Sequence, residues 1–159
     1  MDNYYFFWNG VFSQWYQSKF YDPLTKMTFN CCEQYMMYKK AEVFGDTETM
    51  KLIMATLDPR TQKQLGRNVK GYDEDKWNEV CRNLVAYGNY LKFSQNEELK
   101  QFLLATGDLI LVEASPYDAK WGIGMGAGDP NINDTSKWGL NWLGEAIMDA
   151  RTKLKSEVK

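Results

Sequence analysis

Glu33 and Lys40 stand seven residues apart in the segment Glu33-Gln34-Tyr35-Met36-Met37-Tyr38-Lys39-Lys40-Ala41. The segment reads as a helix, and seven helical steps turn the chain by about 700°, roughly 20° short of two full turns, so the acid and the amine share one face. Farther on, Leu111-Val112-Glu113-Ala114-Ser115-Pro116-Tyr117-Asp118 places two more carboxylates, Glu113 and Asp118, at the end of an apolar run that reads as a strand. An amine gathered with three carboxylates is equipment for proton transfer, or for imine formation at a sugar carbon. The 159 residues contain no histidine, which excludes Ser-His-Asp and Cys-His catalysis and every His-containing metal site. Chemistry must come from Glu, Asp, Lys, Arg, Tyr or Cys.

Each of these residues also has a plain structural reading. Asn30-x-x-Glu33 fits a capping box in which Glu33 reaches back to the Asn30 amide. Lys40 is either a solvated surface lysine or, beside Tyr35, Met36 and Tyr38, a partly desolvated amine with a depressed pKa. Lys39 points about 100° away and is the natural control. Glu113, at the end of an apolar strand, needs a donor, a ligand or water, and Arg67 is a structural partner for it. Asp118 serves equally as a loop-capping Asx residue. Arg67, near a helix end, suits the C-terminal dipole. Trp15, Trp121 and Trp138 read first as core aromatics, although Trp121 beside bare glycines offers a stacking face.

The elements that must position these groups follow from local signals. Residues 4–29 are aromatic-rich and broken at Asn9-Gly10 and Asp22-Pro23, so they read as short strands and turns. Asn30 opens a helix over 31–44 that Gly45 stops, Asp46 or Thr47 opens another to about 55, and Asp58-Pro59 starts a third to about 67. Trp77, Val80, Cys81, Leu84, Tyr87 and Leu91 keep a three-four spacing over four turns and mark the core scaffold helix. Asn96 caps the next, with Leu99, Phe102 and Leu103 inward and Gly107 beyond its end. Leu109 to Val112 reads as a buried strand, residues 115–140 as a long Gly-rich loop, and 141–155 as a last helix with Leu143, Ile147, Ala150 and Leu154 on one stripe. The expected fold is α+β: a single compact domain over 1–159, predominantly helical with a few short strands, ending in a frayed polar tail at 156–159. A Rossmann reading fails, because Gly122 to Gly128 leads into Asp129-Pro130 and not into a helix. Those glycines bare the backbone for a phosphate or ring, or form a plain flexible loop.

The net charge of −2 gives no basic field for tight binding of bare nucleic acid, and a small anionic ligand fits better. Three cysteines without CxxC spacing, and an opening without a positive leader or long apolar run, indicate a soluble, cytoplasmic protein with no membrane partner. Cys31 and Cys32 read as small side chains at a helix start.

Taken in order, Phe12-Ser13-Gln14-Trp15, Glu33-Gln34-Tyr35 through Lys40-Ala41, Lys63-Gln64-Leu65-Gly66-Arg67, Lys92-Phe93, Thr106-Gly107, Leu111 to Pro116 with Asp118, Trp121-Gly122-Ile123-Gly124 and Trp138 to Gly144 resemble the NADAR superfamily of YbiA-like N-glycosidases from about Tyr5 to Leu154. The resemblance implies hydrolysis of an N-glycosidic bond between an ADP-ribosyl or phosphoribosyl group and a base-like amine. The amine would belong to ADP-ribosyl-guanine in nucleic acid or to a phosphoribosylamino-pyrimidine intermediate of riboflavin synthesis. It implies catalytic roles for Glu33, Lys40, Glu113 and Asp118, with Lys40 forming a Schiff base, and no metal or redox cofactor. It implies a phosphate contact for Arg67 and substrate contacts at Ser13, Trp15, Tyr35, Trp121, Gly122, Gly124 and Asn141. The family often has His where Gln34 stands and Asn where Gln14 stands, so an imidazole is not required here and ribose or base selectivity can differ. The rival from another class is a module that binds ADP-ribose or NAD without turnover.

Overall fold

The computed structural model describes residues 3–158. Six α-helices and four short strands make up its regular structure apart from one 3₁₀ turn, Thr135–Lys137, an α+β fold as the periodicities predict. Strand β1 (Tyr4–Phe7) pairs in parallel with β4 (Ile110–Glu113), Tyr4 opposite Ile110 and Phe7 opposite Glu113. Strands β2 (Phe20–Asp22) and β3 (Met27–Phe29) form an antiparallel hairpin, its turn tied by the Asp22 carboxylate accepting from the Leu24 amide at 2.9 Å.

Helix α1 (Cys32–Val43) lies under α2 (Thr47–Met54), α3 (Pro59–Arg67) and α4 (Glu74–Ser94). It is covered on nearly every side: Cys32, Glu33, Gln34, Tyr35, Met37, Tyr38, Lys39 and Ala41 are all buried. A helix so enclosed shows no polar face, which is why its charged residues must find partners or line a cavity. Helix α4 joins two cores. Leu91 packs with Phe20, Phe29, Tyr35 and Ile53, whereas Val85 and Phe93 pack with Phe12, Leu103, Leu111, Leu143 and Ile147. The second core includes α5 (Glu97–Ala105), β4 and α6 (Trp142–Glu157), which runs two residues past its expected end. Leu143, Ile147, Ala150 and Leu154 are buried on one stripe as the spacing requires.

Some local expectations change. Residue 31, not Asn30, is the N-cap of α1, and it makes no side-chain cap bond. The Asn30 amide donates to Gln34 Oε1 at 2.8 Å, so the reach-back that the sequence gives to Glu33 is made one residue later. The Asn30 side chain instead bonds Gln17, the Leu57 carbonyl and Gln62. Asn96 is the N-cap residue of α5 as expected, yet its side chain makes no cap bond to that helix and donates instead to the Lys19 carbonyl and to the Lys92 carbonyl in the last turn of α4. Phe102 is 44% exposed, touching Phe12 edge-on, because Leu103 alone occupies the inward position of that turn.

The 114–141 segment has little regular structure but a dense backbone bond set. Ile123 N bonds Glu113 O, Gly124 N bonds Asp118 O, and Leu140, Asn141, Trp142 and Leu143 donate to the carbonyls of Ala119, Gly122, Lys120 and Trp121. Gly122 is required there, since a Cβ would stand 2.8 Å from Glu113 O and 2.9 Å from Asp118 O. The loop is therefore a folded turn system, and it holds Glu113, Asp118 and Trp121 in fixed relation.

Candidate active site

A cavity of about 540 Å³ opens between α1, α3, the ends of β1 and β4, and the turn that follows β4. Glu33 and Lys40 both line it, one from the first turn of α1 and one from the last, as their seven-residue spacing demands. Met36 and Met37 lie between them on the wall. Helix α3 contributes Lys63 and Arg67, four residues apart on one face. Glu113 enters at the end of β4, Asp118 and Trp121 from the turn after it, and Ser13, Gln14 and Trp15 from the segment after β1.

Glu33 is buried and accepts a hydrogen bond from the Trp15 indole, Nε1 to Oε1, at 2.8 Å. Burial pushes its carboxyl up from the ordinary range; the Trp15 bond, Lys63 and Lys40 pull it back, and Asp118 adds to the rise. Glu113 is half-buried, its Oε2 enclosed and without a hydrogen-bond partner among the described residues. Desolvation, then Asp118 and Glu33, push it up to about 7, against the pull of Lys63. A carboxyl in that range is part acid and part carboxylate at neutral pH. Asp118 is anchored: its Oδ1 accepts from the Lys120 and Trp121 amides, both at 2.8 Å. The Asx geometry and the cavity position thus coexist in one side chain, Oδ1 serving the turn.

Desolvation lowers the pKa of the Lys40 amine, with Lys120 next and Arg67 adding, while Glu33 opposes. The face of Tyr72, 4.5 Å from Nζ to the ring centroid, works the other way by favouring the cation. Its neighbour Lys39 does not line the cavity. That side chain is buried, pairs with Glu42 at 3.0 Å and stands over the Tyr35 ring.

Four residues expected at the site do not line the cavity. Tyr35 is a core aromatic, 1% exposed, packed on Phe20 and Phe29. Gly122 and Gly124 shape the turn behind it, Gly124 at φ +78°. Asn141, at φ +53°, clamps β4: its Oδ1 accepts from Glu113 N and its Nδ2 donates to Leu111 O, both at 3.0 Å. Asn141 thereby sets the height of Glu113, one step removed from the cavity. Trp138 packs against Tyr4 and Phe6. Gln34, where the resemblance expects His, donates to the Ile53 and Thr56 carbonyls, pinning α1 to α2. Gln14 lines the cavity and exchanges hydrogen bonds with Asn89.

The model of the NADAR domain matches residues 5–155. This chain belongs to the NADAR family. It is 41% identical over 145 residues to the N-glycosidase R617 of Acanthamoeba polyphaga mimivirus, covering 89% of this chain and 85% of that protein. It is 28% identical over 138 residues to the riboflavin biosynthesis protein VVA0006 of Vibrio vulnificus, covering 87% of this chain but 35% of that larger protein. The NMR structure of E. coli YbiA superposes with a TM-score of 0.78 at 26% identity, covering 100% of this chain and 90% of that one.

Within this NADAR domain, sequence reasoning overlooked Lys63, which stands on the cavity wall and acts electrostatically on both Glu33 and Glu113. The signal was present, four residues before Arg67 on the same helix face. Trp8 and Tyr117, also on the wall, were missed because neither belongs to a periodic element. No helix among the described residues is long and apolar enough to cross a membrane.

Proposed function

We propose that this NADAR domain is an N-glycosidase that hydrolyses the bond between an ADP-ribosyl or phosphoribosyl group and a base-like amine. The observation that carries the reading is the meeting, around one cavity, of an amine with a lowered pKa and two carboxyls with raised ones. Shifts of opposite sense in neighbouring groups match the division of acid and base work. The names of the mimivirus and Vibrio relatives support an N-glycosidic or riboflavin-related substrate.

In the proposed reaction, Glu33, its carboxyl raised and protonated at the start, gives its proton to the ribose ring oxygen; the C1–O bond breaks, which opens the sugar and leaves C1 doubly bonded to the base nitrogen. The neutral Lys40 amine adds to C1. Glu113, as the acid, gives its proton to the base nitrogen, whose bond to C1 then breaks, leaving C1 joined to Lys40 as an imine. Glu33 takes the proton that Lys40 loses on bond formation and returns one when the imine is hydrolysed. Water adds to C1 and gives one proton to the Glu113 carboxylate; the C1–Nζ bond then breaks as the C1 oxygen loses its second proton to Glu33, the sugar recloses, and amine and carboxyls recover their starting states. Lys63 and Arg67 supply positive charge for phosphate, the guanidinium fork suiting two oxygens at once. Asp118 has Oδ2 available for a ribose hydroxyl while Oδ1 holds the turn.

The deciding experiment incubates the protein in parallel with an ADP-ribosylated guanine oligonucleotide, a phosphoribosylamino-pyrimidine and NAD, and reads products by mass spectrometry. Release of ADP-ribose or ribose phosphate with a free amine is the expected result. Tight binding without release would favour a non-catalytic ADP-ribose or NAD-binding module.

A further inference from the structure

The reaction above leaves an aromatic pair at the cavity unused. Trp8 directly follows β1, and Tyr117 lies in the turn after β4. The pairing of Phe7 with Glu113, and the 2.7 Å bond from Ala114 N to Phe7 O, draw the two segments together. The ring centroids are 5.7 Å apart with the planes at 49°. Both residues line the cavity, yet Trp8 is 48% and Tyr117 84% exposed. A single exposed apolar side chain is ordinary, but two touching aromatic rings at the edge of a charged cavity form a connected apolar surface open to a ligand.

Charge is sorted around this cavity. The cations come from α1 and α3, as Lys40, Lys63 and Arg67, whereas the aromatic pair comes from the strand ends. A ligand that satisfies both presents phosphate and sugar toward the helices and a flat, uncharged ring toward the strand ends. We propose that Trp8 and Tyr117 form a base-stacking subsite that selects substrates carrying a nucleobase beyond the phosphorylated ribose, in preference to a bare phosphoribosyl group. The inference rests on the glycosidase reading and narrows it to nucleotide-bearing substrates. A base lying flat on one ring, a favoured aromatic geometry, meets the other at the 49° tilt between them, so one ring stacks while the other closes the side of the subsite. Because every base has a π-face, such a subsite selects for the presence of a base, not its identity.

The test is calorimetric binding of ADP-ribose and of ribose 5-phosphate to the wild-type protein and to Trp8→Ala, Tyr117→Ala and Tyr117→Phe. Thermal melts report whether each variant is folded. The expected result is tighter binding of ADP-ribose by wild type, an approximately tenfold weakening of ADP-ribose in each alanine variant, and ribose 5-phosphate affinity unchanged, one stacked base contributing on this order. Tyr117→Phe keeps wild-type affinity, since the ring and not the hydroxyl is used. Equal weakening of both ligands, or ADP-ribose binding that ignores both alanine changes, overturns the subsite while leaving the glycosidase reading in place. Failure of the wild-type protein to bind either ligand overturns both.

Discussion

Lys40 and Lys92 are both drawn out of water, and burial lowers the pKa of each, but their surroundings put the same perturbation to different uses. Lys92, on α4, is 0% exposed. It donates to the carbonyls of Val11 at 2.6 Å and Ser13 at 3.1 Å, with the Phe93 and Tyr16 rings around it. Its donors are spent on the backbone, so it fixes the segment that carries Ser13, Gln14 and Trp15 into the cavity wall. Lys40 lines the cavity, and its amine, over the Tyr72 ring, makes no hydrogen bond among the described residues. A depressed lysine pKa therefore does not by itself identify a reactive amine. The fate of the N–H donors separates the two: those of Lys92 hold a wall, whereas those of Lys40 are left for the role proposed for it.

The comparison breaks most directly at Lys40. Lys40→Arg and Lys40→Ala are expected to abolish turnover with the fold intact, because neither supplies a neutral primary amine. Borohydride should trap a covalent adduct on the wild-type enzyme alone. Lys39→Ala, which loses a pair with Glu42, should stay active with a stability loss of up to about 1 kcal/mol. A Lys40→Arg enzyme with near wild-type rate in a product-release assay would end the imine mechanism.

Next in size are the carboxylates. Glu33→Gln should keep its melting temperature within a few degrees and lose at least about a hundredfold in turnover, the scale of lost acid–base help. Glu113→Gln should lose a comparable factor, and wild-type turnover should fall as pH rises through about 7, where the Glu113 acid is titrated away. The stability consequence has the opposite sense from a salt-bridged acid. The folded pKa of Glu113 lies above its ordinary 4.5, so the folded state binds more protons between the two values and stability falls as pH rises across that window. Thermal melts should find Glu113→Gln most favourable relative to wild type above pH 7, with the advantage fading toward pH 4.5. An advantage that does not vary with pH would contradict the assignment.

Arg67→Ala should weaken ADP-ribose by ~1.5–3 kcal/mol, the range for a hydrogen bond to a charged group, with an affinity that is less salt-dependent than wild type. Calorimetry at two salt concentrations decides it; unchanged affinity would remove Arg67 from the site. Lys92→Met tests the other side of the comparison. It leaves two carbonyls without their donor, at a cost of ~1–3 kcal/mol, and should lower the melting temperature more than any change at Lys40. Its turnover loss should be partial, since the reactive amine is untouched. A dead but fully stable Lys92→Met would reverse the roles given to the two lysines.

How legible the molecule is from its sequence depends on how far apart the partners lie. Asp58-Pro59 opens α3 as written, with the Asp58 carboxylate accepting from the Arg60 and Thr61 amides, because cap and helix share one turn of chain. The stripe of α6 and the shared face of Glu33 and Lys40 are legible for the same reason. The Trp15 bond to Glu33 is not, since sequence offers only the nearby Asn30 as a structural partner for Glu33, while the packing of α1 hands the Asn30 amide to Gln34 and leaves Glu33 on the cavity wall. Nor does spacing disclose that Asn141 supports Glu113, or that β1 finds β4. Tyr35 shows the opposite error: a residue placed in the site by its motif neighbours lies in the core, because successive helical positions face different ways.

The parallel pairing of β1 with β4 also has a consequence in time. The cavity is walled by parts of the chain that leave the ribosome far apart, from Ser13 and Trp15 to Asp118 and Trp121, and contacts so distant in sequence close slowly. Until β4 has been synthesised and docks beside β1, Lys40 belongs to an open chain in water, where a lysine is protonated at neutral pH and inert toward carbonyl compounds. The environment that lowers the pKa of the Lys40 amine exists only once folding completes, so under the proposed mechanism the nascent protein is spared reaction with the aldehydes around it during synthesis.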